Sequence, residues 1–326
     1  MLTFHALAQG CLVPVQSTII GPDVLWVDLH NPTPDEETLL EQQIHLDVPT
    51  RAEMRDIEAS SRLYVERGML MMTADLVANA TGPDPQIEPV TFIITPQRLI
   101  TVRYCELRSF ALFLQGCSRQ PIPRPDPWAV LLGLLETVVE RLAESLERVG
   151  DDLNDLTRRI FRKRGNHIAS AAQPRADLSL MLERIGQHHD VVSKVRASLL
   201  TLSRLAGFVL QRREAQRLTA ETVARLEALK VDLASLSEHD GVLSAKVDFM
   251  LDATLGLINV EQNGIIKIFS VMSVIFMPPT MVASIYGMNF EWMPELKWPW
   301  GYPAALLVML AAAVLPYLYF KWRRWL

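Results

Sequence analysis

Hydrophobic residues recur along this chain in three different rhythms, and the changes of rhythm divide it. Up to about residue 120 they come in short runs bounded by turn residues. Val24-Leu25-Trp26-Val27-Asp28-Leu29 reads as a strand. The segment after it starts a helix, with Thr33 as N-cap, Pro34 in the first turn and Asp35, Glu36 and Glu37 beside the amino end. Segments 62–74 and 90–94 read as further strands, and Thr95-Pro96-Gln97-Arg98 turns the chain into Leu99-Ile100-Thr101-Val102-Arg103 to complete a hairpin. Pro121, Pro123, Pro125 and Pro127 then break the pattern. Residues 1–120 are therefore expected to form an α/β domain.

Beyond the prolines the rhythm is helical. Segment 128–161 is strongly amphipathic, with a face rich in carboxylates. In 178–212 apolar residues recur in heptads: Leu178, Ile185, Val192, Leu199 and Ala206, then Met181, His188, Val195, Leu202 and Val209 three residues later. Leu226, Leu229, Leu233, Leu236, Leu243, Val247 and Met250 continue the pattern. This spacing predicts long helices packed side by side at shallow angles. Residues 121–213 form a helical region on this reading. With no Pro or Gly pair between 214 and 277, residues 214–286 form one long helix, which at 1.5 Å per residue exceeds roughly 100 Å.

The third rhythm is continuous apolarity, over 265–286 and again over 302–320. Each run is about the length a helix needs to cross roughly 30 Å of hydrocarbon. The loop between them, 287–301, opens on Gly287-Met288-Asn289, a small residue and a carboxamide suited to a pore mouth. Lys321, Arg323 and Arg324 follow the second run in the tail 321–326, whereas the loop sets Lys297 against Glu291 and Glu295. The positive-inside rule puts both termini in the cytoplasm. Trp292, Trp298, Trp300 and Tyr302 on one side, and Tyr317, Tyr319, Trp322 and Trp325 on the other, read as interfacial belts. The amino-terminal residues have no basic region followed by an apolar one, so no signal peptide is expected.

The first span is not uniformly apolar. Asp252, Asn259, Asn263, Ser270, Ser273, Met277, Thr280 and Ser284 follow steps of three, four and seven, one line along a helix. The opposite faces carry Leu251, Leu255, Ile258, Ile265, Val274 and Met281. A polar line in lipid must meet protein or water, and it reads either as helix packing or as a water-filled path. Two helices cannot enclose a path, so conduction requires an oligomer. Rings of Asn and Thr oxygens suit a hard cation that keeps its water, as magnesium does. Ile266, Met277 and the adjacent Phe269 would form an apolar constriction. Glu291 and Glu295 would concentrate cations at the loop, or simply keep it soluble. Lys267 reads as a marker of the inner membrane boundary, and Pro278-Pro279 as a kink or hinge.

Composition adds little. Net charge is −5 and excludes an electrostatic case for nucleic acid. Cys11, Cys105 and Cys117 are scattered and read as reduced thiols. His188-His189-Asp190 cannot readily share one ion, because adjacent helical side chains diverge. No glycine-rich phosphate loop, nucleophile elbow or HExxH points to an enzyme, and no resident cofactor is expected.

Tyr286-Gly287-Met288-Asn289-Phe290, followed by Met293-Pro294-Glu295-Leu296 and a second span with a basic tail, resembles the CorA family of magnesium channels. Trp26-Val27-Asp28-Leu29 with Asn31-Pro32, Pro49-Thr50-Arg51-Ala52-Glu53-Met54 with Glu58-Ala59-Ser60-Ser61-Arg62, Ile258-Asn259-Val260-Glu261-Gln262-Asn263 and Met277-Pro278-Pro279-Thr280 extend the resemblance over the whole chain. It implies a homopentamer of the inner membrane, with a funnel-shaped cytosolic part and a pore lined by the first span. It implies an outer filter of Gly287, Met288 and Asn289 holding hydrated magnesium. Below it would lie polar rings of Thr280, Asn263 and Asp252 and an apolar ring of Met277. It further implies passage of cobalt and nickel, and closure by cytosolic magnesium at sites between subunits. Glu227, Asp232 and Asp240 occupy the corresponding region but read as solvated surface. The zinc-transporting branch of the same fold and a membrane-anchored sensor without conduction stay open as alternatives.

Overall fold

The computed structural model describes the chain except residues 16–18, 46, 57, 80–81, 83–84, 118–120, 123–124, 163–173, 289–292 and 324–326. It forms two compact units, Met1–Ala172 with Ser179–Leu251, and Gln173–Leu178 with Asp252–Leu326.

The first unit begins with strands β1 (Leu2–Ala8), β2 (Cys11–Val15) and β3 (Val24–His30), then helices α1 (Pro34–Ile44), α2 (Arg51–Met54) and α3 (Ala59–Arg62). Strands β4 (Leu63–Glu66), β5 (Met69–Ala78), β6 (Gln86–Ile94) and β7 (Leu99–Arg103) complete one seven-stranded sheet in the order β2-β1-β3-β7-β6-β5-β4. All pairings are antiparallel except β3 with β7, where Trp26 faces Leu99 and His30 faces Arg103. Thr33 caps α1 as its sequence predicts, in a reciprocal box with Glu36, and Thr50 caps α2 in the same way with Glu53. Segment 62–74 is not one strand. Arg67 and Gly68 take φ of 49° and 82° and fold it into the β4–β5 hairpin, as Gln9 and Gly10 do for β1–β2.

Both faces of the sheet are covered, which explains the nearly unbroken burial of β3 and β7. Val27, Leu29, Ile100 and Val102 belong to a cluster with Leu40, Val48 and Met54. Trp26 packs edge-on against Phe110 and Phe113 of α4 (Arg108–Gly116). Beside it the buried Asp28 accepts bonds from Arg103 Nη2 (2.8 Å), Arg103 Nε (3.1 Å) and Thr101 Oγ1 (2.7 Å). The Thr101 hydroxyl accepts in turn from Trp26 Nε1 at 3.0 Å. A buried charge survives only when paired and bonded in this manner.

Three long helices follow: α5 (Pro127–Arg162), α6 (Pro174–Gln211) and α7 (Ala220–Tyr286). Within the first unit, heptad positions Ile185, Val192, Leu199, Ala206, Leu226, Leu233 and Val247 are all buried. Arg225 bridges α7 to Glu136 of α5 at 2.7 Å. Helix α7 starts at Ala220 rather than 214, because Arg217 takes φ of 49° and the Thr219 hydroxyl accepts from the Thr222 N–H. In the second unit α7 runs on to Tyr286, a 3₁₀ turn covers Pro294–Lys297, and α8 spans Gly301–Trp322.

Candidate functional site

Helices α7 and α8 are each long and apolar enough to cross a membrane, and their apolar stretches are almost entirely uncovered. Asp252, Asn259, Asn263, Ser270, Ser273, Met277, Thr280 and Ser284 are all exposed on one face of α7. Positions of reduced exposure fall on the other side: Thr254, Ile258, Ile265, Val271, Ile275 and Val282. At about 100° per residue the two sets lie roughly opposite one another. Leu255, Val274 and Met281 do not join the covered side. They are 43%, 46% and 63% exposed and flank the polar line, since residues one and four apart share neighbouring faces.

Three hydroxyls of the line are tied to their own helix. Ser270 Oγ donates to the Ile266 carbonyl at 2.8 Å, Ser273 Oγ to Phe269 at 2.9 Å and Thr280 Oγ1 to Phe276 at 2.7 Å. Pro278 and Pro279 lie inside α7 without ending it. Lacking N–H groups, they leave the Val274 and Ile275 carbonyls without their usual helical donors. At the helix end the Gly287 N–H bonds to the Ala283 carbonyl at 3.0 Å and the Met288 N–H to Ile285 at 3.2 Å. Asn289 and Glu291 lie outside the described residues, and so does the Glu295 side chain. Trp298, Trp300 and Tyr302 are exposed near the start of α8. At its other end Arg323 lies within 6.0 Å of the ring centres of both Tyr319 and Trp322.

Among the candidate regulatory carboxylates the structure separates Asp240 from Glu227 and Asp232. The latter two are exposed. Asp240 is 1% exposed and accepts from Arg196 Nε at 2.7 Å, while its second oxygen has no partner among the described residues. Burial raises its pKa, and the Arg196 bond opposes that shift. It is not solvated surface. The signal was present, since Asp240 occupies the heptad line Leu226, Leu233, Asp240, Val247, where a carboxylate has to be buried. His188 lies 3.9 Å from Asp152, with its pKa lowered by burial. Among the described residues no group of three potential metal ligands comes together.

An α/β sheet domain, a bundle of long helices and two membrane-length helices define the class: an integral membrane protein with two spans near its carboxyl end. The chain belongs to the CorA-like Mg2+ transporter protein family, whose model matches residues 22–322. It is 37% identical to the magnesium transport protein CorA of Salmonella typhimurium over 305 residues, 93% of this chain and 92% of that protein. It is likewise 37% identical to the Escherichia coli K12 protein of that name, with the same coverage. The complete structure of the CorA magnesium transporter from Methanocaldococcus jannaschii superposes with a TM-score of 0.73 at 18% identity, covering 98% of this chain and 97% of that one.

Proposed function

We propose that the chain is a magnesium channel of the cytoplasmic membrane that assembles as a homopentamer around its α7 helices and also passes cobalt and nickel. The observation that carries this reading is the uncovered polar line of α7. It runs from Asp252 to Ser284 on the side of the helix away from the covered face. An isolated helix in lipid has no use for such a line, whereas a ring of copies turns each member into a coaxial ring of oxygens. Gly287, Met288 and Asn289 form the outer filter, and Glu291 and Glu295 draw cations to it. Thr280, Asn263, Asn259 and Asp252 follow along the axis, with Met277 as the apolar ring. Magnesium is the substrate because amide and hydroxyl oxygens can hold it through its own water shell, while neither thiolates nor imidazoles lie on the line. Its occupancy of cytosolic carboxylates closes the pore. Both termini lie in the cytoplasm on this reading, which the positive residues after α8 support.

The test is divalent uptake by proteoliposomes holding wild-type or Asn289→Ala protein, in magnesium, cobalt and zinc. Loss of at least about tenfold in magnesium flux is expected, about 1.4 kcal/mol of lost ion stabilisation. Undiminished flux would sink the filter assignment.

A further inference from the structure

Two of the three cysteines, 106 residues apart in the sequence, meet in the fold. Strand β2 lies at one edge of the sheet and begins at Cys11, while Cys117 is the C-cap of α4. The Cys11 thiol donates to the Cys117 carbonyl at 3.3 Å. In the other direction the Leu12 N–H donates to the Cys117 sulfur, and the Cys11 thiol is near enough to act on that sulfur electrostatically. Each sulfur therefore lies against the other cysteine or its chain neighbour. The backbone on either side is pinned as well. The Ile122 N–H bonds to the Gly10 carbonyl at 2.8 Å, and a Cβ on Gly10 would come within 2.6 Å of the Pro121 Cβ. Both thiols are free.

The two sulfurs are unequal. Cys11 is partly exposed at the sheet edge, whereas Cys117 is 2% exposed. Burial pushes the Cys117 thiol up, against the bond from the Leu12 N–H. A thiol so placed does not meet a reagent from solvent, but it can attack a disulfide formed on its neighbour. Cys11 is thus the point of entry and Cys117 the resolving partner. Cys105, its thiol pushed up to about 11 chiefly by burial, has no bond to either among the described residues and serves as an internal control.

We propose that Cys11 and Cys117 form a reversible redox site, oxidised to a disulfide within the chain by low-molecular-weight disulfides. The Cys11 thiolate attacks one sulfur of the reagent, forming a mixed disulfide and expelling the first small thiolate. The Cys117 sulfur, its proton passed to solvent, then attacks the Cys11 sulfur and expels the second. The two protein thiols lose two electrons and two protons, and the reagent gains them as two small thiols. In a reducing compartment such a bond is transient, the use that cytosolic disulfides usually have. The site holds whether or not the chain conducts.

The test treats the full-length protein in detergent with oxidised glutathione. Peptide mass spectrometry without reduction then maps the disulfides, and non-reducing electrophoresis separates a bond within one chain from a bond between chains. Wild type is expected to end with Cys11 joined to Cys117 in the same chain, reversibly by dithiothreitol, and with Cys105 free. Cys117→Ala is expected to stop with one glutathione per chain, on Cys11. In Cys11→Ala the remaining Cys117 should react at least about tenfold more slowly than Cys11 does in the first variant. The wild-type map decides the matter even where a variant fails to fold. Glutathione kept on Cys11 of wild type as fully as in Cys117→Ala, a disulfide through Cys105 or between chains, or no reaction at all overturns the proposal.

Discussion

His5 lies against Trp26, ring centres 4.5 Å apart and planes within 20°, and only 5% of it reaches solvent. Its Nδ1 has no partner among the described residues. Burial lowers its pKa from 6.5; Asp28 works against that shift and Arg103 adds to it. The folded state therefore prefers the neutral ring. Its contribution is complete above the unfolded value and is lost as pH falls through the depressed folded one. His5→Phe keeps a ring on the indole but removes the titration, so it should flatten the fall in melting temperature as pH drops below about 6.5. Scanning fluorimetry of the full-length protein at several pH values checks this, and an unchanged slope refutes it. Sequence could not announce His5, since an isolated histidine early in a chain carries no period. Thr33 could be read directly, because a cap, a proline and a carboxylate at fixed offsets act through local geometry alone.

Helices were easier to foresee than strands. The α6 and α7 heptads repeat one chemical choice every two turns, and burial followed the repeat. Strand β2 offers only five residues with a proline among them, and its pairing with β1 depends on two positive-φ residues rather than on a hydrophobic run. Packing between helices is harder still. Gly133 of α5 sits against Phe113 of α4, where an added Cβ would come within 2.3 Å of the ring. Helix propensity alone would favour Gly133→Ala by up to about 1 kcal/mol. Overpacking in a filled interior costs about 1–3 kcal/mol, and here it should win. A lower thermal midpoint is expected, whereas a raised one would mean that Phe113 moves aside freely.

At the scale of the whole molecule, one chain leaves too much apolar surface uncovered along α7. Val231, Val242 and Phe249 are 68%, 62% and 58% exposed, eleven and seven residues apart and so on one line. Soluble surfaces seldom leave such a row to water, and the proposed pentamer would bury it against its neighbours. Charged replacements at two of these positions, Val242→Asp with Phe249→Glu, should shift the native mass in detergent from about five chains towards one. Light scattering after size exclusion measures this; an unaltered mass would place the assembly contacts elsewhere. The family was legible because Gly287-Met288-Asn289 sits among flanking motifs in a two-span layout. The homopentamer follows only from that resemblance, since the number of copies depends on angles between chains that residue patterns do not state.

The back-bonded hydroxyls of α7 carry one more consequence. Ser270, Ser273 and Thr280 have each committed their only proton to a carbonyl of the preceding turn. What remains on the outward side of each oxygen is a lone pair. These three positions can therefore receive a hydrogen bond but cannot give one. In the proposed pore such positions would complement water molecules whose oxygens already lean towards a positive ion and whose hydrogens point outward. To a chloride ion these three hydroxyls would offer no donor.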